Sequence, residues 1–131
     1  MLQWRITSRI LWEKKSWLTG VGISNATAER NRQYKELNLF LGDPVKGNAG
    51  YQIYNSHNQF LETMLQAGIA GLIALLMFCT GITKIIMSSR NRLIIFPLLL
   101  LLLWMFTESV FETQFGVLFL CFFPLFLPGL D

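Results

Sequence analysis

The sequence predicts an all-α fold, that of a multispan membrane protein fragment with about three transmembrane helices and a helical extramembrane region. The first observation behind this prediction is composition: 53% of the 131 residues are hydrophobic and only 15% are charged. The second is a division of the chain. Residues 1–59 carry eight of the eleven Lys/Arg and four of the eight Asp/Glu, whereas residues 60–131 hold nearly all of the long apolar runs. This composition excludes an intrinsically disordered chain, and these runs exclude a purely soluble globular one.

Three apolar runs are the predicted membrane spans. Thr63–Thr83 is 21 residues without a charge, which at about 1.5 Å per residue crosses a hydrocarbon core of about 30 Å. Leu93–Thr107 has 15 uncharged residues. It is long enough to cross the membrane if the helix continues past Thr107 and Arg92 snorkels to the interface. Thr113–Leu130 is a third run of 18, after a tight turn near Glu108–Glu112; two spans with a re-entrant piece are the alternative. The extramembrane region is thus predicted at 1–62 and the spans at 63–84, 92–110 and 113–130.

Basic residues near the span ends predict the orientation. Lys84, Arg90 and Arg92 lie between the first two spans, whereas only Lys46 lies within about 17 residues on the other side of the first span. The positive-inside rule therefore places that loop and the C-terminus in the cytoplasm, and residues 1–62 in the periplasm or cell exterior. A count of all basic residues in 1–59 would favour the opposite orientation, with this region in the cytoplasm. Charges far from the ends of the spans, however, have little influence on topology.

The beginning of the sequence adds a constraint. Met1 and Leu2 are followed by Gln3, Trp4 and Arg5, so there is no apolar segment of the kind that a signal peptide needs. An exported segment without a signal peptide needs upstream spans to carry it across the membrane. We therefore expect this chain to be the C-terminal piece of a larger multispan protein.

The extramembrane half is predicted to contain two helices. Trp4–Trp17 has no helix breaker, and its apolar residues gather on one side of a helical wheel. Such a helix suits a membrane surface, where Trp occupies the interfacial region and Arg contacts lipid headgroups. A second short helix is predicted at Ala26–Leu41, with Asn25 or Thr27 as its cap. Residues 42–50 are rich in Gly and are predicted to form a loop.

The single histidine, His57, lies at the mouth of the first span. Histidine titrates near neutral pH and can act as a base towards a hydroxyl group; the alternative is an interfacial histidine that only hydrogen-bonds a neighbouring loop. One His, two Cys inside apolar runs and scattered acids provide no metal-ligand spacing, so no metal site is expected. The sequence has neither a nucleotide-binding glycine motif nor a serine-hydrolase motif. Nucleic-acid binding is disfavoured, because the basic half is expected outside the cell.

Arg5 and Arg9, one turn apart on the first helix, are candidates for binding a lipid-linked diphosphate. Such a site needs fixed positive charge, and the planar guanidinium group matches phosphate oxygens. The alternative is that both side chains snorkel to lipid headgroups. A solvated helix face is expected at three other basic residues: Arg30, Arg32 and Lys35. Glu108 and Glu112 are expected at a structural hairpin end, with one of them facing a water-filled cavity as the alternative.

Three short motifs occur in order along the chain. Residues 17–22 read WLTGVG, residues 55–62 read NSHNQFLE, and residues 68–72 read GIAGL. This order resembles the O-antigen ligase/polymerase family of bacterial membrane glycosyltransferases. In that family a tryptophan-bearing helix leads into a GxG turn, and a large periplasmic loop ends in an HNxxLE motif before a GxxGL segment. Residues 107–109 (TES), between two spans, are similar to the family's ending; the resemblance covers most of this chain but only the C-terminal third of a typical member.

The resemblance implies a transferase of the bacterial inner membrane that needs no metal and no cofactor. It would move a glycan from undecaprenyl diphosphate to a sugar hydroxyl, on lipid A core or on a growing polysaccharide, at the periplasmic face. By the family pattern, His57 is the base that activates the acceptor hydroxyl, and Asn58 beside it contacts substrate. Arginines in the periplasmic loops of the family hold the diphosphate.

The family arginine can be placed in two registers. If Trp12 is the helix tryptophan, Arg9 is the match, although the distance to the GxG turn is then shorter than usual. If Trp4 is the helix tryptophan, the spacing is better and the arginine lies upstream of this sequence. Arg9 and Arg5 are therefore the diphosphate-binding candidates within this chain.

A second hypothesis belongs to a different class of protein. Gly68 and Gly71, with Ala67, Ala70 and Ala74, place small residues on the first span, which suits close packing against another helix in lipid. The chain would then be a small noncatalytic integral membrane protein that packs against a larger membrane complex. This hypothesis requires no upstream sequence, whereas the enzyme does.

Overall fold

The computed structural model describes residues 2–88 and 95–126, and the regular secondary structure in these ranges is helical. The α-helices there are α1 Leu2–Lys14, α2 Ile23–Glu36, α3 Gln59–Ser88, α4 Ile95–Thr107 and α5 Gln114–Phe126. Short 3₁₀ turns lie at Pro44–Lys46, Gly50–Ile53 and Val110–Glu112. The predicted all-α class is confirmed for the part of the chain that the structure describes.

One helix in the described ranges, α3, is long and apolar enough to cross a membrane. Helices α4 and α5 contribute 13 described residues each, joined by the tight connection predicted near Glu108–Glu112. The predicted second and third spans, 92–110 and 113–130, both extend outside the described residues. So do Arg90 and Arg92, on which the predicted orientation depends. The number of spans and the orientation therefore stay predictions.

Helix α2 differs from the helix predicted at 26–41. It begins three residues earlier, after Gly22, whose φ of 90° starts the turn into the helix. No side chain caps this end, so the predicted caps were wrong: Asn25 lies inside the helix and donates to the backbone of Val21, and Thr27 lies further in. The helix ends early because Asn38 adopts a left-handed conformation with φ 52°, which breaks the helical hydrogen-bond pattern.

Helix α3 is broken at Gly68, where φ is 65° and ψ is −159°. The break is filled by residues 17–22, here called the 17–22 turn. Backbone hydrogen bonds join the two segments: Val21 N to Leu65 O (2.7 Å), Gly22 N to Gln66 O (3.0 Å) and Ile69 N to Trp17 O (2.7 Å). These bonds satisfy helical groups that the break would otherwise leave without partners.

Two glycines make this close approach possible. A Cβ at Gly20 would overlap the backbone of Gln66 and Ala67, and a Cβ at Gly68 would overlap the backbone of Leu18. Both glycines also have positive φ, which side-chain-bearing residues rarely adopt. Only glycine fits on both sides of the contact.

Two buried apolar clusters hold the helices together. The first joins α1, α2 and the start of α3: Ile6, Ile10, Leu11, Ala26, Tyr34 and Leu65. The second joins α3, α4 and α5: Leu75, Ile82, Ile86, Leu98, Leu101, Met105, Val110 and Leu120. The predicted apolar stripe of α1 exists, but Ile6 and Ile10 face other helices and not a membrane.

Candidate functional site

His57 lies in the segment that leads into α3, and its backbone is in the left-handed region with φ 45°. The side chain of Asn55 stabilises this conformation, because its Oδ1 accepts a hydrogen bond from the His57 N–H at 2.9 Å. Non-glycine residues adopt this region rarely, and such positions are concentrated at functional sites.

Glu108, at the end of α4, is the partner of His57. Its Oε2 lies 3.1 Å from Nδ1 of the imidazole, and both side chains are partly exposed. A carboxylate beside Nδ1 favours the imidazole tautomer in which Nδ1 carries the proton. Nε2 of that tautomer has a lone pair that can accept a proton. Among the described residues, no hydrogen-bond partner occupies Nε2. The ring of Tyr54 packs against the imidazole, with centroids 5.5 Å apart.

A cavity of about 410 Å³ lies beside His57. Its walls come from the first turn of α1, the histidine segment and the end of α4: Gln3, Trp4, Ser56, His57, Phe106 and Thr107. The wall surface is mainly apolar, although four of the six lining residues have polar side chains; such a combination is common for small-molecule sites of this volume. An indole and an imidazole on one cavity offer an apolar face and a hydrogen-bonding group side by side.

A buried polar network lies behind the histidine segment. Arg30 Nη1 donates to both carboxylate oxygens of Glu62, at 2.5 and 2.6 Å. Glu62 also accepts hydrogen bonds from the N–H and the hydroxyl of Ser56, at 3.0 and 2.6 Å. The hydroxyl of Thr7 lies 3.0 Å from that of Ser56. Since Ser56 directly precedes His57, this network fixes the backbone that carries the histidine.

The two carboxyl groups nearest this network have opposite pKa shifts. Burial alone would raise the pKa of Glu62, but the hydrogen bonds and charge of Arg30 outweigh it and hold that pKa below its usual range. Burial, together with the negative charge of Glu62, raises the pKa of Glu112 above its usual range. Gln66 donates to both carboxyl groups at 2.9 Å, and Asn55 donates to Glu112 at 3.0 Å. Glu112 is thus part of a hydrogen-bonded cluster and not only a hairpin end.

The predicted diphosphate-binding arginines lie outside the His57 cavity. Arg5 is exposed, and Arg9 is paired with Glu13 one turn along α1 at 2.6 Å. Neither residue lines the cavity, although Trp4, directly before Arg5, does. Their role in binding diphosphate stays a prediction.

Asn58, the predicted substrate-binding neighbour of His57, is buried and uses both ends of its amide inside the protein. Its Nδ2 donates to the carbonyl of Phe106 at 3.0 Å, and its Oδ1 accepts from the N–H of Leu61 at 3.0 Å. The first bond ties the histidine segment to α4, and the second caps α3. Asn58 therefore positions the site, and its contact with substrate stays a prediction.

The expectation of a solvated face at Arg30 was wrong, because this residue is only 4% exposed. It lies on the buried face of α2, four residues after Ala26 and four before Tyr34, both of which are buried. That spacing was the available signal, since residues four apart share one side of a helix. By contrast, Arg32 is half exposed and pairs with acids at the surface.

No protein-family model, no curated protein and no solved structure matches this chain. In the two described ranges, no group of three or more His, Cys, Asp or Glu is arranged to hold a metal ion. The function is therefore inferred from the residues and their geometry.

Proposed function

We propose that this chain is the C-terminal part of an O-antigen ligase-like glycosyltransferase. His57 is the base that activates a sugar hydroxyl at the periplasmic face of the bacterial inner membrane. The observation that carries the proposal is the pairing of His57 Nδ1 with Glu108 at 3.1 Å, beside a cavity that Trp4 also lines. A base oriented by a carboxylate beside an open cavity is suited to removing a proton from an acceptor hydroxyl.

The spatial arrangement of the motifs supports the same proposal. The 17–22 turn fills the break in α3 at Gly68, so the WLTGVG and GIAGL segments are in contact through backbone hydrogen bonds. The NSHNQFLE segment meets the TES segment through His57 and Glu108. The four segments that carry the sequence resemblance therefore form two contacting pairs, which are connected through the first turns of α3.

The proposed reaction is a displacement at the anomeric carbon of the donor glycan. Nε2 of His57 accepts the proton of the acceptor hydroxyl, while the oxygen of that hydroxyl forms the new glycosidic bond to the anomeric carbon. The bond from the anomeric carbon to undecaprenyl diphosphate breaks, and the diphosphate leaves with the electron pair. Glu108 keeps the Nδ1 proton in place and stabilises the imidazolium that forms. Arg5, next to Trp4, and Arg9 are the candidates in this chain for balancing the charge of the leaving group.

The proposed setting is a multispan protein with residues 1–62 in the periplasm and the C-terminus in the cytoplasm. Within α3, large exposed apolar side chains occur only after Gly68, as expected for a helix that enters lipid at that point.

Cysteine labelling in intact cells tests the orientation, using Val45→Cys and Ser88→Cys after replacement of Cys79 and Cys121. An impermeant reagent is expected to label position 45 but not position 88; the reverse pattern would place the His57 cavity in the cytoplasm and contradict the proposal.

The catalytic role of His57 is tested by measuring glycan transfer in membranes that contain the full-length protein. His57→Ala is expected to abolish transfer. Glu108→Gln is expected to reduce it by about 10–100-fold, the range typical for loss of the hydrogen-bond partner that orients a functional histidine. Lys46→Ala, at an exposed loop residue, is the control. Undiminished transfer by His57→Ala would remove the histidine from the mechanism.

The alternative function, a noncatalytic membrane protein that packs against a larger complex, has one observation in its favour. A groove of about 550 Å³ runs beside α3, and small residues, Gly71 and Ala74, form part of its wall. A helix of a neighbouring membrane protein fits against such a surface. Full transfer by His57→Ala, with loss of a co-purifying membrane complex on Ala74→Phe, would favour this alternative.

A further inference from the structure

We propose that the 17–22 turn and the residues beside it contact the phospholipid interface and set the depth at which the extramembrane half rests on the bilayer. The contact surface consists of Trp12, Leu18 and Ile23, here called the interfacial edge. The proposal rests on the membrane span proposed for α3 and is independent of the catalytic role of His57.

The exposure of the interfacial edge is the first reason. Trp12, Leu18 and Ile23 are 70%, 71% and 76% exposed, although the first cluster buries other apolar side chains of α1 and α2. Three large apolar side chains that face outwards near one turn form a surface that water solvates poorly.

The attachment of this edge to α3 is the second reason. Trp17 O accepts a hydrogen bond from Ile69 N at 2.7 Å, and the backbone of Leu18 abuts Gly68. Ile69 is also the first large exposed apolar residue of α3. The edge is therefore held at the level where the lipid-type surface of the helix begins.

The length of α3 beyond the break agrees with this level. Ile69–Ser88 has 20 residues in the helix, about 30 Å at 1.5 Å per residue, which matches the hydrocarbon thickness of a bilayer. Lys84, in the last turns of this stretch, reaches the far interface by snorkelling. One lipid boundary then lies at Gly68. The preceding part of the helix, Gln59–Ala67, spans about 13 Å along its axis and keeps His57 outside the hydrocarbon core.

The chemistry of the edge fits a phospholipid interface. The rings of Trp12 and Trp17 pack edge to face, with centroids 5.3 Å apart, and tryptophan is enriched at the headgroup level. Ile23 lines the same groove as Gly71 of the proposed span, which places this part of the edge beside that span. Lys15, which is exposed next to the turn, adds a positive charge that anionic headgroups attract.

Spin labels at three positions test the proposal in the full chain reconstituted into vesicles of phosphatidylcholine and phosphatidylglycerol. The labels are attached at Leu18→Cys, Val45→Cys and Met77→Cys, after Cys79 and Cys121 are replaced by Ser. All three native side chains are well exposed, so labelling should leave the fold intact. The measured quantity is the accessibility of each label to oxygen, which partitions into lipid, relative to a water-soluble nickel complex.

The expected result is an oxygen-to-nickel ratio at position 18 that is several-fold above the ratio at position 45 and below that at position 77. Equal ratios at positions 18 and 45, with position 77 in lipid, would overturn the interfacial edge while leaving the proposed span in place. Nickel access at position 77 would overturn the edge together with the membrane setting of the proposed function, whereas glycan transfer by His57→Ala tests the catalytic base separately. A label at Ile23→Cys gives an independent second measurement and is expected to match position 18.

Discussion

Arg30 of α2 and Glu62 of α3 form a buried ion pair, with side chains 5% and 1% exposed and an N–O distance of 2.5 Å. Burying a charge is costly unless it is paired and hydrogen-bonded. Glu62 meets that condition with further hydrogen bonds from Ser56 and Gln66. The pair thus joins two helices and holds the residue that precedes His57.

The first prediction concerns the removal of one partner of this pair. Arg30→Met leaves the Glu62 carboxylate buried without its counter-charge, which is expected to lower the free energy of unfolding by about 3–5 kcal/mol. The double substitution Arg30→Met with Glu62→Leu leaves no buried charge and is expected to recover much of that loss. Chemical unfolding of the detergent-solubilised protein, analysed as a double-mutant cycle, measures both effects.

Arg32→Met is the matched control for this prediction. Arg32 lies on the same helix, but its ion pairs are partly exposed, and such pairs contribute about 0–1 kcal/mol. A loss at Arg30→Met no larger than the loss at Arg32→Met would contradict the structural role of the buried pair.

The second prediction concerns acid stability. The pKa of Glu62 is lowered in the folded protein. The ionised carboxylate therefore stabilises the fold at pH values above its unfolded-state pKa, near 4.5. This stability is lost as the pH falls through the lower pKa of the folded state. Glu62→Gln is expected to be less stable near neutrality, with a flatter decline in acid. Thermal unfolding from about pH 6 to about pH 3 measures the difference between the two curves. Parallel curves for the wild type and Glu62→Gln would show that this group does not control the acid transition.

The third prediction has the opposite sign. The pKa of Glu112 is raised in the folded protein, so the folded state binds its proton more tightly and loses stability as pH rises from about 4.5 through the higher folded value. Glu112→Gln cannot ionise and is expected to remove this decline. Stability measured from about pH 4 to about pH 8 tests it, with the surface residue Glu36→Gln as a control that should keep the wild-type slope. A wild-type slope in Glu112→Gln would contradict the expected linkage.

The helices could be predicted from sequence because their signals are local. The uncharged run 63–83 and the unbroken segment 4–17 are sufficient to indicate α3 and α1. The break at Gly68 could not be predicted, because a single glycine within an apolar run is tolerated in a helix. Its conformation depends on hydrogen bonds from the 17–22 turn, more than 40 residues earlier in the chain.

The candidate site could be predicted only in part for the same reason. The sequence indicates His57 because it is the single histidine and lies within a motif that resembles a known family. Its partner Glu108 lies 51 residues away, and Arg30 lies 32 residues from Glu62. Pairings of this kind are decided by tertiary packing, and no local pattern reports them. The spacing of Arg5 and Arg9 on α1 makes them candidates for binding diphosphate, but it does not reveal that both lie outside the cavity.

The last prediction tests the contact between the 17–22 turn and the break in α3. Gly68→Ala is expected to be strongly destabilising, because its positive φ costs about 1–3 kcal/mol in a residue with a Cβ and the added carbon overlaps the backbone of Leu18. Gly20→Ala, on the other side of the contact, is expected to behave in the same way. Thermal unfolding of the detergent-solubilised protein measures the losses.

Two other glycines separate the causes of these losses. Gly47 also has positive φ but open space around it, so Gly47→Ala reports the conformational cost alone. Gly81 lies in the continuous part of α3, also with open space, so Gly81→Ala should be neutral or stabilising by up to about 1 kcal/mol. We therefore expect the losses at Gly68 and Gly20 to exceed the loss at Gly47, by the steric overlap with the opposing backbone. If all four substitutions cost the same, the turn does not occupy the break, and the interfacial edge loses its attachment to α3.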